Sequence, residues 1–366
     1  NCMGTVSVKE KLFLYPNPDF NLSKPGPVAG VFQSGGTLQH WCRVAAERGV
    51  RFSYMVSSGN ELSLDTADYI NFFIDDPKTK IIILMIEGIR RADAFKAAAQ
   101  RALLAGKPIL AVKVGQTEEA RNSAKSHTGA IAGDYDVFAA LCEQYGIVLC
   151  STLDDMVETT LAYQLERLPK GNSLAFISNS GGVVDLLHDH AAQENAKLAS
   201  YSKKTIRNVR NLVGPDMPMQ NPMDCGQAGF ADPKNYMRVC EAVASDKGVH
   251  MLAFEARTPN REGERSVLPL KDLKKGTNVP VFAFNRMEYT MNEVGRLYQE
   301  KTGIPHLQSM PETIRAMEAL AFYAVRKGKL VPKYPLPKGK KRNLQVSSRF
   351  ERFNRKLGLG SSFCKF

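Results

Sequence analysis

The sequence predicts an α/β protein made of two consecutive parallel-sheet units. Two observations lead there. Short, unbroken apolar runs alternate with segments whose apolar residues recur at helical spacing, and after a turn-rich break the same alternation begins again. A strand that is apolar at every position is covered on both faces, the mark of a parallel sheet between helical layers.

The first unit opens with "VAGVF" (28–32) and continues through "FSYMV" (52–56), "IIILMI" (81–86) and "ILAVK" (109–113), each read as a strand. Between them, "GTLQHWCRVAAERG", "DTADYINFFIDD" and "ADAFKAAAQRALLAG" carry the helical period. "DYDVFAALCEQYG" and "LDDMVETTLAYQLERL" complete this unit near Leu168. "LPKGNS" (168–173) is a break, because Pro, Gly, Asn and Ser favour turns. The second unit restarts with strand "LAFIS" (174–178) and helix "VVDLLHDHAAQEN". Helix "DPKNYMRVCEAVASD", strands "VHMLAFE" (249–255) and "VPVFAFN" (279–285), and helix "PETIRAMEALAFYAVRKG" (311–328) follow.

Composition removes several function classes. No run of about 18 apolar residues without charge is present, so no membrane span is expected. The formal charge of +12 is uneven: from residue 331 to 366 ten lysines and arginines stand against one acid, Glu351. The body is therefore near neutral, and the basic tail reads as a linker or solvated surface; nucleic acid is not an expected partner. Seven cysteines (Cys2, Cys42, Cys142, Cys150, Cys225, Cys240, Cys364) are scattered without a C-x-x-C pair. That usage fits a reducing compartment, and the expected location is the cytoplasm. His188 and His190 are two apart and point to different sides of a helix, so no metal site is expected.

The two units begin alike. "VFQSGG" (31–36) and "FISNSGG" (176–182) both run strand, polar pair, Gly-Gly, helix. Two readings stand side by side. Ser34 and Ser180 are N-caps with glycines for the turn, or each helix N-terminus offers its unpaired N–H groups and dipole to an anion. In open α/β sheets ligands gather at the C-terminal strand ends, where both turns are expected.

One histidine stands apart. His127 lies in "AKSHTGAIAGD" (124–134), a loop of small residues without core or hairpin character. It reads as a surface histidine, a general base, a metal ligand or a nucleophile. No G-x-S-x-G or metal spacing supports the second or third reading. A phosphoryl carrier fits the surroundings best. Neutral imidazole is nucleophilic near pH 7, and helix N-termini supply anion donors without mobile side chains. Such a histidine needs a carboxylate on its other ring nitrogen, and Glu87 in "MIEGIR" is placed for that; otherwise it is an exposed strand-end acid. Lys113 and Arg121 either steer phosphate or are solvated charges. Asp224 in "NPMD" either lines the site between the units or closes a turn.

The motifs, taken in order, resemble those of the NDP-forming acyl-CoA synthetases, relatives of succinyl-CoA synthetase and ATP-citrate lyase. They are "NCMG" (1–4), "VFQSGG", "VSSGNELSLDTADYINFFIDDPKTKIIILMIEGIR", "ILAVKVGQTEEARNSAKSHTGAIAGD", "AFISNSGG" and "QNPMD" (220–224). The resemblance runs over residues 1–325. It implies two consecutive flavodoxin-like, three-layer parallel-sheet domains. It implies that an acyl acid, ATP and CoA exchange with acyl-CoA, ADP and phosphate through an acyl phosphate and a phosphohistidine. His127 would be the phosphorylated residue and Glu87 the acid that orients it. Gln33, Ser34, Gly35 and Gly36 would bind phosphate at one helix start, and Asn179, Ser180, Gly181 and Gly182 at the other.

By the same resemblance residues 1–26 are the end of a CoA-binding domain, with Asn1 and Cys2 near CoA. Residues 27–168 are the succinyl-CoA ligase-like domain with the phosphohistidine loop, 172–330 a second ligase-CoA domain, and 331–366 a basic tail or linker. The CoA-binding body and the ATP-grasp module have no counterpart in the sequence, so it reads as part of a larger polypeptide. CoA and ATP or ADP with Mg are then substrates of the full enzyme, and no tightly bound cofactor is expected. Partners are a small carboxylic acid or acyl-CoA, phosphate, those two domains and, in the assembly, a second copy as a homodimer. The rival reading is a non-catalytic ligand-sensing module of a protein acyltransferase.

Overall fold

The computed structural model describes residues 2–16, 24–120, 134–165, 167–226, 231–264 and 270–329. In chain order the first half holds β1 Gly4–Ser7, β2 Leu12–Leu14, β3 Val28–Phe32, α1 Gly35–Glu47, β4 Phe52–Ser57, α2 Thr66–Asp75, β5 Ile81–Ile86 and α3 Ala92–Leu104. It closes with β6 Ile109–Lys113, α4 Tyr135–Tyr145, β7 Val148–Leu149 and α5 Leu153–Tyr163. The second half holds β8 Leu174–Ser178, α6 Gly181–Gln193, α7 Lys203–Val213, β9 Met223–Asp224, α8 Pro233–Ala244 and β10 Met251–Glu255. It ends with α9 Leu270–Gly276, β11 Val281–Asn285, α10 Glu293–Thr302, β12 His306–Gln308 and α11 Met310–Gly328.

Two sheets result, as expected. The first runs β2-β1-β4-β3-β5-β6-β7 and the second β12-β11-β10-β8-β9. Numbered within each half, the parallel strands of both sheets follow the same order, 2-1-3-4-5, which is the flavodoxin-like arrangement. The strands β3, β6, β8 and β10 are buried at every residue, as strands covered on both faces must be. The alternation of apolar runs did not foretell β1 and β2. They pair antiparallel with each other, and β1 pairs antiparallel with β4, placing Gly4 opposite Ser57. The amino-terminal segment thus extends the first sheet.

Helix faces follow from sequence period. In α1 the buried residues Leu38, Trp41, Cys42, Ala45 and Ala46 recur three and four apart and turn toward the sheet. Trp41 packs on Phe32 with ring centroids 5.8 Å apart, and its indole N–H donates to the Leu153 carbonyl at 3.0 Å. Helix α2 begins with a capping box in which Asp65 and Asp68 exchange side-chain bonds with each other's backbone, and Arg91 pairs with both carboxylates.

Helix α5 is buried from Asp155 to Tyr163 because it lies between the halves, alongside α11. Tyr163 donates to the Ala319 carbonyl at 2.8 Å and meets Tyr323 edge-on at 5.8 Å. Arg315 of α11 fastens three elements, reaching Asp155 at 2.7 Å, Glu194 at 2.7 Å and Glu312 at 2.6 Å. The last helix of each half therefore joins the two sheets.

Candidate active site

The order 2-1-3-4-5 places a switch point between β3 and β5 in the first sheet and between β8 and β10 in the second. At such a point neighbouring connections leave toward opposite faces and open a crevice beyond the strand ends. The Gly-Gly turns stand at these two places.

At the first, Ser34 is the N-cap residue of α1, yet its hydroxyl makes no capping bond; it lies 2.9 Å from the Thr37 hydroxyl. Ser180 likewise precedes α6 without a capping bond. The bland N-cap account therefore fits position but not bonding. First-turn N–H groups of a helix point outward along its axis. The two second glycines have open space above them: a Cβ added at Gly36 or Gly182 would meet nothing within 4 Å. Gly35 is different. A Cβ there would come within 2.4 Å of Met3 Cγ and Sδ, and its carbonyl accepts the Tyr15 hydroxyl at 2.6 Å. The amino-terminal segment is packed directly against the start of α1. Cys2 is exposed and its thiol donates to the Ser57 carbonyl at 2.6 Å.

Glu87 follows β5 immediately and stands across the switch point from Ser34. Its backbone is gripped from both sides. Gln33 Oε1 accepts the Glu87 N–H at 2.5 Å and the Gly88 N–H at 3.0 Å, while Gln33 Nε2 donates to the Gly88 carbonyl at 2.7 Å. From β6, Lys113 Nζ donates to the Glu87 carbonyl at 3.0 Å and also to the Val114 carbonyl. Lys113 is 3% exposed, which corrects its reading as a solvated charge: its ammonium is turned inward onto strand-end carbonyls. Gln33 also departs from expectation, since its amide faces inward and its own N–H goes to the Met85 carbonyl at 3.2 Å.

The second turn has a polar support of its own. Ser178, the last residue of β8, donates to Glu255 Oε2 at 2.5 Å and accepts the Ser180 N–H at 3.1 Å. Glu255 closes β10 and receives Arg286 Nε at 2.7 Å on its other oxygen. Asp224, at the end of β9, accepts the Gly226 N–H at 2.8 Å, and its second oxygen lies 3.5 Å from where a Gly181 Cβ would stand. Asp224 therefore closes a turn, and its second oxygen faces the first turn of α6 within the same half. Glu255 and Arg286 escaped the sequence reading. The available signal was an acid ending an apolar strand, as Glu87 follows β5.

His127, Arg121 and Asn1 lie outside the described residues. A cavity of about 520 Å³ opens between β7 and α11, lined by Cys150, Asp155, Arg315 and Glu318 among others, and by neither turn. The two turns instead stand at strand ends, with open space over their second glycines.

Comparison with known proteins agrees with this architecture. Residues 25–163 match the family described as the succinyl-CoA ligase like flavodoxin domain. Over 336 residues the chain is 30% identical to the alpha subunit of the ADP-forming acetate–CoA ligase II of Pyrococcus furiosus, covering 90% of this chain and 71% of that one. A trans-feruloyl-CoA synthase of an unknown prokaryotic organism is 29% identical over 89% of this chain, but only 47% of its own length is spanned. Among solved structures, the dinucleotide-forming acetyl-coenzyme A synthetase 1 of Ca. Korarchaeum cryptofilum, in complex with phosphate and ADP, superposes with a TM-score of 0.74. That pair is 26% identical, over 90% of this chain and 70% of the other.

Proposed function

The chain belongs to the family of NDP-forming acyl-CoA synthetases, and from that premise we propose that it carries the phosphoryl-relay part of such an enzyme. The overall reaction is acyl acid plus ATP plus CoA to acyl-CoA plus ADP plus phosphate. In the reverse direction a phosphate oxygen attacks the thioester carbonyl and the CoA thiolate leaves, giving an acyl phosphate. A ring nitrogen of His127 then attacks phosphorus and the carboxylate leaves. ADP finally takes the phosphoryl group from the histidine and becomes ATP.

The roles follow from chemistry and position. His127 is the nucleophile, and Glu87 orients it by accepting from the ring nitrogen that does not attack. The backbone N–H groups at Ser34, Gly35 and Gly36 hold the phosphoryl oxygens at one station. The N–H groups of Asn179, Gly181 and Gly182 and the Ser180 hydroxyl hold them at the other, and each station has a helix dipole behind it. CoA, and ATP or ADP with Mg, act as substrates. CoA-binding and ATP-grasp domains of the same protein are the partners, with a homodimer as the assembly and the cytoplasm as the setting. No helix among the described residues is long and apolar enough to cross a membrane.

The observation that supports this reading most is the repeated turn. One chain places a Gly-Gly helix start at the switch point of each of two like-ordered sheets, and one of them faces a strand-end acid held on both sides. The test is to incubate the full-length protein with ATP labelled at the γ-phosphate and map the label. Label on His127, lost in His127→Ala, is expected. An unlabelled protein, or one labelled equally after His127→Ala, would end the proposal and leave the ligand-sensing reading in its place.

A further inference from the structure

We infer that Gln33 is a positioning residue for Glu87: its side-chain amide holds the turn that bears the carboxylate and touches no phosphate. The inference rests on the reading in which Glu87 orients His127.

The geometry is that of a clamp. Residues 87 and 88 lie beyond the end of β5, where the ladder between β3 and β5 has stopped. Gln33 lies just past the end of β3, and its side chain carries the pairing one step further. A primary amide presents a donor and an acceptor side by side, as a peptide group does. Here the acceptor takes two N–H groups, of Glu87 and Gly88, and the donor meets the Gly88 carbonyl. Gln33 as a residue is 8% exposed, so water has limited access to its amide. Lys113 fixes the Glu87 carbonyl from the opposite flank. The peptide groups before and after the Glu87 Cα are thus both held, and the direction in which its carboxylate leaves the backbone is set.

Replacement chemistry sharpens the assignment. Methionine fills the same volume with neither donor nor acceptor. Glutamate keeps the acceptor but sets a carboxylate oxygen against the Gly88 carbonyl. Both should release the turn without altering the N–H groups of α1.

The experiment uses the full-length protein with Gln33→Met and Gln33→Glu, each alone and combined with Glu87→Ala. Four quantities are read: the rate of His127 labelling from ATP, its pH profile, the KM for phosphate with acetyl-CoA as the probe acyl donor, and the thermal midpoint. A misaimed orienting group costs roughly ten- to a hundredfold in rate, and that loss is expected for Gln33→Met with KM for phosphate unchanged. The acid limb of the pH profile should move to lower pH, because a carboxylate no longer aimed at the imidazole stops favouring its protonated form. In the Glu87→Ala background Gln33→Met should add nothing. A raised KM for phosphate at unchanged turnover, or losses that multiply in the double variant, would overturn the inference. If the methionine variant does not fold, Gln33→Glu tests the same point through the same four quantities. The underlying reading fails separately, through label that survives His127→Ala or a wild-type labelling rate in Glu87→Ala.

Discussion

Arg48 and Glu158 face each other as a two-point ion pair buried between the halves of the protein. Arg48 Nε meets Oε1 at 3.0 Å and Nη2 meets Oε2 at 2.8 Å, with side chains 8% and 7% exposed. Both groups also bond across the seam. Arg48 Nη2 donates to the His306 carbonyl at 2.8 Å, and Glu158 Oε2 accepts the Gln308 N–H at 2.9 Å. The Gln299 amide bridges the Arg48 carbonyl and the His306 N–H, each at 2.8 Å. Removing one partner strands a buried charge, so Arg48→Met or Glu158→Leu should each cost about 3–5 kcal/mol. The double variant should cost less than the worse single one. Urea denaturation of all three settles it, and additive losses would refute the coupling.

Acid should loosen the same seam through His306. The ring is 1% exposed, and burial, with the nearby Arg48 charge, pushes its pKa from 6.5 down to about 3. A folded state that refuses a proton the unfolded chain accepts loses stability as pH falls from 6.5 toward 3, by about 1.4 kcal/mol per unit. His306→Phe, which keeps a ring against Tyr298, should flatten that part of the stability curve. Parallel slopes for variant and wild type would show that the histidine does not titrate this way.

Glu318 should act with the opposite sign. Burial beside the cavity at α11 raises its pKa from 4.5 to about 7. The folded protein keeps this proton while the unfolded chain gives it up, so the contribution is complete below pH 4.5 and fades as pH rises to 7. Glu318→Gln should match wild type near pH 4 and exceed it near pH 7. Thermal midpoints across that range provide the measurement, and an unchanged difference at the two ends would contradict it.

The paired glycines separate folding from function. Gly36→Ala and Gly182→Ala meet open space and should change stability by no more than about 1 kcal/mol, since alanine favours a helix. If phosphate sits over these turns, the added methyl should slow His127 labelling by about tenfold or more. Gly35→Ala should instead destabilise by about 1–3 kcal/mol, because its methyl collides with Met3. Adding Met3→Ala should restore much of that loss. Equal labelling rates in Gly36→Ala and wild type would remove that turn from the site.

Sequence period made the longest elements legible. The strands β3, β5, β6, β8, β10 and β11 and helices α1 to α6, α8 and α11 stand where apolar runs and helical spacing put them. The shorter ones were not legible. Strands β7, β9 and β12 hold two or three residues each, too few to show a period. Helix α7 carries a readable signal, Ile206, Val209 and Val213 among basic residues, that strand-and-helix alternation alone does not pick out. Within the site, residue types pointed to the two turns and to Glu87. The inward burial of Lys113 and the Gln33 clamp rest on contacts 26 and 54 or more positions apart in sequence, which no local pattern encodes.

Because both sheets run in one order, positions can be matched across the halves by register. Val31, two residues before Gln33, pairs with Leu84; Ile177, two before Asn179, pairs with Phe254. Three residues beyond Leu84 stands Glu87, and three beyond Phe254 stands Arg257. The same address holds an acid in one half and a base in the other. The two halves thus share a strand order and differ in charge sign at this address. One way of folding presents two different charges at matching strand ends, each supplied by its own half.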